Sequence, residues 1–367
     1  MSDLGIFLVA TPGLEQPLAD EAQAAGFTDP VIVPGGVETR GGWAEVWRAN
    51  LVLRCATRVL VRIAEFRAMH LAQLDKRSRK VDWRSVLPPD QPVRVEASCR
   101  KSRIYHAGAA AQRIERAITK ELGAPISKEA GTVVKLRIED DLAVVSLDSS
   151  GESLHKRGHK EAVAKAPMRE TMAAAFLREC GYSGDEPVFD PMCGSGTFPI
   201  EAAEIAAGLF PGRSREFAFE QFASFDPDIW ARMKADAETK TPSPRFYGRD
   251  RDAGAVRMSI ANAERAGVGA FCEFAPGQIA EAIAPEGPAG LVMINPPYGA
   301  RIGNKGPLFG LHAKMGEVLR ESFGGWRVGI VTSEPALAKA TGLKFREPGP
   351  IVAHGGLKVR LYQTGPL

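Results

Sequence analysis

The sequence predicts an α/β protein: two small α+β units in series, then a Rossmann-like, doubly wound sheet. Three observations predict it. From Val188 onward, short β-branched runs alternate with amphipathic stretches, the rhythm of helices laid on a mostly parallel sheet. The run Val188-Phe-Asp-Pro-Met-Cys-Gly-Ser-Gly-Thr-Phe-Pro-Ile-Glu-Ala-Ala203 carries an apolar strand into a glycine turn and on into a helix. That is the ligand-binding corner of such a sheet. Residues 1–65 read β-α-β-β-α-β, the pattern of a ferredoxin-like unit.

Size and composition narrow the class. A chain of 367 residues is long enough for two or three domains with their own cores. Its 44% hydrophobic and 25% charged content suits a soluble globular protein. Met1-Ser-Asp-Leu-Gly5 lacks the basic and apolar regions of a signal peptide, and no apolar run approaches ~18 residues, so neither a leader nor a membrane span is expected. The cysteines (Cys55, Cys99, Cys180, Cys193, Cys272) are scattered and odd in number. They support neither a disulfide framework nor a zinc site, so the expectation is a cytoplasmic protein with no metal.

Charge is unevenly spread. From Arg54 to Lys120 there are 16 Lys and Arg against 6 Asp and Glu, a surplus of ten that leaves −7 for the rest of a chain whose total is +3. Such a block is either a polyanion-binding face or a solvated surface.

The elements follow in order. Ile6 to Ala10 is a strand closed by the turn Thr11-Pro-Gly13, and Leu14, Leu18, Ala22 and Ala25 recur at helical spacing up to Gly26. Val31–Val33 and Val37–Arg40 are strands around Pro34-Gly-Gly36, Ala44–Arg54 is a helix and Val59–Ile63 a strand. The dinucleotide fold is excluded here, because no glycine fingerprint follows the first strand. Beyond Met69 comes the basic knot Lys76-Arg77-Ser-Arg79-Lys80. Val93–Ala97 alternates as a strand, and Arg100, Lys101, Arg103, Tyr105 and His106 lead into a helix over 107–122 that carries Arg113. Clustered cations make phosphate contacts, while Tyr105 and His106 either stack on an exposed base or close the end of a strand. Val133–Ile138 and Leu142–Leu147 form a hairpin around Glu139-Asp-Asp141.

In the second half, Ala166-Pro167-Met-Arg-Glu170-Thr171 opens a helix running to Cys180, with proline where a first turn tolerates it and Glu170 at the positive end of the helix dipole. Strands are expected at Val188–Phe189, Arg245–Asp250, Phe271–Phe274, Leu291–Ile294 and Val328–Thr332, with a closing hairpin between Ile351 and Gln363. Glu204 to Pro244 is an aromatic-rich insertion expected to pack on the sheet. Asp252 is expected to cap the helix after the second strand.

Two corners of this half carry a resemblance. Asp190-Pro-Met192-Cys-Gly194-Ser195-Gly196-Thr197 and Asn295-Pro296-Pro297-Tyr298 resemble the S-adenosylmethionine corner and the amino-group corner of class I methyltransferases. Ser102-Arg-Ile-Tyr-His106 and the run Asp148-Ser-Ser-Gly-Glu-Ser-Leu-His-Lys-Arg-Gly158 look like a THUMP domain and its exit, with His159 where many relatives have Tyr. Nearly the whole chain is similar to bacterial THUMP-containing guanine-N2 RNA methyltransferases acting on ribosomal RNA or tRNA. The resemblance implies a ferredoxin-like domain at 1–65, an RNA-binding THUMP domain at 66–155, and a class I methyltransferase domain with a seven-stranded mixed sheet at 156–367. It also implies structured RNA as partner, gripped by Lys76, Arg77, Arg79, Arg100, Lys101, Arg103, Tyr105, His106 and Arg113.

For the cofactor, the resemblance implies Pro167 and Glu170 over it, Asp190 near its ammonium group, and Met192, Gly194, Ser195, Gly196 and Thr197 around the methionine moiety. Asp250 is spaced to accept both ribose hydroxyls, and Gln278 stands near the adenine where the family tends to have Asp. Asn295, Pro296, Pro297 and Tyr298 form the catalytic turn, with Asn295 also against the cofactor. An exocyclic amino group is a poor nucleophile because its lone pair is delocalised into the ring. Carbonyl oxygens of Asn295 and Pro296 that accept its N–H bonds aim the lone pair at the methyl, on a turn that proline holds rigid. Tyr298 would stack on the flipped base. Arg301 holds either RNA phosphate or its own loop. A DNA adenine or protein glutamine methyltransferase would share Asn-Pro-Pro-Tyr without explaining the basic half, and a non-catalytic RNA-binding factor would not need Asp190, Asp250 and Asn295. A nicotinamide oxidoreductase is disfavoured, since Pro199 stands where a third glycine belongs.

Overall fold

Alternation in Leu4-Gly-Ile-Phe-Leu-Val9 puts Ile6 and Leu8 on one face, both buried, and makes this stretch β1 (Leu4–Val9). The computed structural model describes residues 3–161, 168–297 and 306–367. After β1 come α1 (Glu15–Ala24), β2 (Thr28–Val33), β3 (Gly36–Gly41), α2 (Trp43–Val52) and β4 (Arg58–Arg67). These strands pair antiparallel in the order β2-β3-β1-β4, the ferredoxin-like arrangement expected from the sequence.

The chain continues with α3 (Leu71–Ser78), β5 (Val93–Arg100), α4 (Ala107–Glu121), β6 (Thr132–Glu139) and β7 (Leu142–Asp148). β4 is ten residues long, and its free edge pairs antiparallel with β7 from Leu60↔Asp148 to Arg67↔Leu142. Both α+β units therefore share one seven-stranded sheet, β2-β3-β1-β4-β7-β6-β5. Asp140 and Asp141 form a two-residue turn between β6 and β7 with φ of 49° and 63°. Two left-handed residues match the twist of a hairpin, and Asp tolerates that region better than most side chains. Helix α3 is an addition to the sequence reading. Only its Leu74 and Ser78 are buried, so charged residues hide the helical period, and the basic knot begins on its last turn.

The second half contains α5 (Glu170–Glu179), β8 (Val188–Asp190), α6 (Thr197–Ala206), α7 (Pro227–Ala235), β9 (Phe246–Asp250), α8 (Ala253–Arg265), β10 (Cys272–Pro276), β11 (Leu291–Ile294), α9 (Gly306–Ser322), β12 (Arg327–Thr332), α10 (Pro335–Ala340), β13 (Val352–His354) and β14 (Leu357–Gln363). Its sheet runs β10-β9-β8-β11-β12-β14-β13, parallel from β10 through β12 and antiparallel at β14. All four residues of β11 are buried, as in a strand covered on both faces. On one face Phe189, Val292, Ile294, Leu319, Phe323, Trp326 and Ile330 form a core, each contributing roughly 1.5–3 kcal/mol on burial.

The chain divides into two compact units: Met1–Ala10, Ala19–Leu154 and Arg215–Asp236 in the first, Thr11–Leu18, His155–Ser214 and Ala237–Leu367 in the second. The aromatic insertion thus differs from expectation. Although it lies between α6 and β9 in sequence, residues 215–236 join the first unit. Phe219 is fully buried there, 6.1 Å from the Trp47 ring of α2 and 5.0 Å from Trp230 of α7. Arg215 donates to the carbonyls of Ser150, Glu152 and Ser153, at 3.2, 2.7 and 2.9 Å. Large rings find their burial against rings presented from elsewhere in the chain, which the local pattern does not encode.

Candidate functional site

In the second unit, parallel strands bring Asp190, Asp250, the Pro276–Gln278 stretch and Asn295 to the same, carboxyl end of the sheet. The site is built on that edge. After Asp190 the chain turns through Gly194 (φ +56°) and Gly196 (φ +82°) into α6. Gly196 N–H closes the turn on the Cys193 carbonyl at 2.8 Å. A side chain on Gly194 would meet nothing within 4 Å, so its surface faces open space, whereas one on Gly196 would press on Ile200 and Ser259 at 3.0 Å.

The turn is held from both sides. Gly194 N–H donates to Asp250 Oδ2 at 3.0 Å, and Cys193 N–H donates to the Arg249 carbonyl at 2.9 Å. From α8, Ser259 Oγ donates to the Gly194 carbonyl at 3.0 Å and Asn262 Nδ2 to the Ser195 carbonyl at 3.1 Å. These two supports were missed in the sequence. Their signal was available: Ser259 and Asn262 are polar residues three apart on the face that carries Val256 and Ala263, and both are buried. Asp252 caps α8 as expected, accepting from Gly254 N–H at 2.8 Å.

Asp190 is buried, and its Oδ1 accepts from Met192 N–H at 3.0 Å. Burial, aided by the nearby Asp250 charge and opposed by that hydrogen bond, pushes its carboxyl up to about 8. The group is a neutral acid near pH 7 that an arriving cation would ionise. Met192 packs against the core below the sheet edge. Asp250 Oδ1 accepts from Asp252 N–H at 2.9 Å, so both of its oxygens hold an amide and each keeps a lone pair for another donor. Gln278 is exposed two residues beyond β10, next to Gly277, whose N–H donates to the Asp250 carbonyl at 3.0 Å.

Asn295 follows β11 directly. Its Oδ1 is buried and has no hydrogen-bond partner among the described residues. Pro296 is buried and Pro297 exposed. Pro167, Tyr298 and Arg301 lie outside the described residues. Glu170, the first residue of α5, is buried and paired with Lys160 at 2.9 Å; Lys160 also donates to Thr197 Oγ1 at 2.8 Å. Behind α6, Arg157 and Glu201 form a buried pair at 3.2 Å. His159 lies 3.6 Å from Glu204, but burial lowers its pKa more than Glu204 raises it, so that contact joins a neutral ring rather than an ion pair.

The residues proposed from the sequence to grip RNA gather in the first unit. Lys76 and Arg77 are exposed on the last turn of α3, where Arg77 donates to the Arg67 carbonyl. Arg79 pairs with Asp75 at 3.0 Å, Arg100 lies 3.9 Å from Glu139, and Arg103 lies 3.9 Å from Asp141. Lys101 is exposed and left-handed at φ 46°, and Tyr105 is 85% exposed. His106 caps α4, its Nδ1 accepting from Ala109 N–H at 3.0 Å, so that nitrogen is engaged within the fold. Arg113 is half-buried on α4. A broad depression elsewhere, on the face of the first sheet, is charge-balanced: Lys135 pairs with Glu96 at 2.6 Å, Arg62 with Glu38, and Arg137 with Glu139.

Among the described residues no group of three or more His, Cys, Asp or Glu is placed to hold a metal, and no helix is long and apolar enough to cross a membrane. Comparison with known proteins matches residues 157–349 to the RMKL-like methyltransferase domain and residues 5–60 to the RlmL ferredoxin-like domain. Among solved structures, the chain is similar to a predicted N6-adenine-specific DNA methylase from Listeria monocytogenes (30% identity, 100% of this chain and 97% of that one, TM-score 0.89). It is similar to SMU.472, described as a methyltransferase and complexed with SAH (27% identity, 100% and 99%, TM-score 0.90). TrmN from Thermus thermophilus shares the fold at 20% identity (99% and 100%, TM-score 0.77). With a methyltransferase-domain match over more than half its length, the chain belongs to the RMKL-like methyltransferase domain family.

Proposed function

We propose that this protein is an S-adenosylmethionine-dependent RNA methyltransferase that methylates the exocyclic N2 amino group of a guanosine in structured RNA, in 23S ribosomal RNA or tRNA. The observation that carries the reading is Asn295: a side-chain oxygen buried and without a partner among the described residues, at the carboxyl end of the strand beside Asp190. A buried acceptor left unmade costs about 1–3 kcal/mol, so its natural complement is an N–H donor from a substrate.

The corner fits the cofactor. The open face of Gly194 leaves room for the methionine moiety, and the Asp190 carboxyl matches its ammonium group. The spare lone pairs of Asp250 match ribose hydroxyls, with Gln278 near the adenine and Met192, Ser195, Gly196, Thr197, Glu170 and Pro167 shaping the surroundings. S-adenosylmethionine, when bound, supplies an electrophilic methyl group. Asn295 Oδ1 and the Pro296 carbonyl accept the two N–H bonds of the target amine, turn its lone pair toward that methyl, and stabilise the positive charge that develops on nitrogen. Pro296 and Pro297 hold these dipoles without reorganisation, and Tyr298 supports the flipped base. The amine proton becomes acidic after transfer and leaves to solvent. The exposed cations and Tyr105 of the first unit, the THUMP-like part of the chain, supply phosphate contacts and a stacking platform for RNA.

A second reading, adenine N6 in DNA, is favoured by the description of the Listeria relative and by the equal fit of an adenine amino group to Asn295. Mass spectrometry of nucleosides from ribosomal RNA, tRNA and DNA of a deletion strain separates the two. Loss of N2-methylguanosine from one RNA fraction is expected. Its retention, with N6-methyladenine missing from DNA, would overturn the guanine assignment.

A further inference from the structure

Lys160 belongs to no motif singled out in the sequence. Its side chain is 9% exposed, and its ammonium group meets Glu170 Oε1 at 2.9 Å, Thr197 Oγ1 at 2.8 Å and the Met168 carbonyl at 3.2 Å. Three donors meet three acceptors, which a desolvated ammonium requires. The acceptors come from two separate places: Met168 just precedes α5 and Glu170 is its first residue, while Thr197 is the first residue of α6, directly after Gly196. Gly196 has no side chain with which to cap α6, and this tether links the first residue of that helix to the α5 side.

The chemistry at Thr197 is directional. A hydroxyl oxygen that accepts from an ammonium keeps its own proton to give, and among the described residues that proton meets no acceptor. We propose that Lys160 is a positioning residue of the cofactor corner, setting the Thr197 hydroxyl and with it the Gly194–Gly196 turn in the geometry that receives the cofactor. This rests on the reading of that turn as the S-adenosylmethionine site. Lys160 acts through Thr197 and touches no reacting atom.

The test is a double-mutant cycle, K160M against T197V, in an E170Q background so that no variant leaves a buried carboxylate unpaired. S-adenosylhomocysteine binding to the full-length protein is read by calorimetry, with thermal unfolding to establish that each variant is folded. K160M and T197V should each weaken binding by about tenfold, and the pair by no more than either alone, because both remove the same interaction. In parallel, K160R in the same background, which keeps the charge and N–H donors, should bind S-adenosylhomocysteine more tightly than K160M by at least about threefold. Additive losses, or a folded K160M variant that binds like its E170Q parent, would overturn the proposal. Failure of the wild type itself to bind S-adenosylhomocysteine would overturn the cofactor reading beneath it, and is a separate outcome.

Discussion

Gly194 donates its backbone N–H to Asp250 Oδ2 at 3.0 Å, tying the glycine turn after one strand to the carboxylate that ends the next. The turn and the carboxylate are therefore one object. A cofactor that engages both would find them already in register, so little ordering is left to the moment of binding.

Asp190 makes that object sensitive to pH. Its carboxyl titrates near 8 in the fold and near 4 in the unfolded chain, so the fold prefers it protonated. The stability it contributes is complete below about pH 4 and is lost as pH rises toward about 8. Asp190→Asn should therefore raise the melting temperature of the ligand-free protein at pH 8, with the gain vanishing near pH 4. Wild-type S-adenosylhomocysteine affinity should rise with pH, by up to about tenfold per unit below pH 8, because pairing with an ammonium needs the ionised form. A D190N protein that binds as tightly as wild type at pH 8 would sink this assignment.

Asn295→Ala removes the acceptor aimed at the amino group and leaves the glycine turn intact. Single-turnover methyl transfer should fall by about 10²–10³-fold, with cofactor affinity within about tenfold and RNA affinity unchanged. Filter binding and tritiated methyl transfer, run on the same preparation, check both halves. Loss of RNA affinity would contradict the separation of gripping from catalysis.

The two glycines of the turn should fail differently. Gly194→Ala adds a methyl in open space at φ +56°, so it should cost about 1 kcal/mol of stability and a larger share of cofactor affinity. Gly196→Ala meets Ile200 and Ser259 at 3.0 Å with φ +82°, and should cost at least about 2 kcal/mol of stability. Urea unfolding beside calorimetry distinguishes the two patterns.

Phe219 carries the packing of the insertion within the first unit, between Trp47, Phe217, Phe225 and Trp230. Phe219→Ala should destabilise that unit by about 3–5 kcal/mol, read by denaturant unfolding followed through tryptophan fluorescence. S-adenosylhomocysteine affinity measured under native conditions should stay near the wild-type value.

Local chemistry made much of this protein readable in advance. β11 is a four-residue apolar run, Asp252 precedes a helix it can cap, and Glu139-Asp-Asp141 marks a hairpin turn, which the structure narrows to the two aspartates. Each needs only neighbours within a few residues. Helix α3 escaped because one buried leucine among charges leaves no period to find.

The sequence by itself determined the strands of the ferredoxin-like unit and of the parallel sheet, the glycine turn, and the asparagine and two acidic residues at strand ends, since turn chemistry, alternation and capping act along the chain; helices α3, α7, α9 and α10 it did not. Only the tertiary structure decided that β4 joins both α+β units through β7, that residues 215–236 bury their rings against Trp47, and that Lys160 meets Thr197. Those are pairings between distant residues. They are set by which unpaired edge, apolar ring or buried charge finds its complement once the chain is folded, and no local periodicity records that.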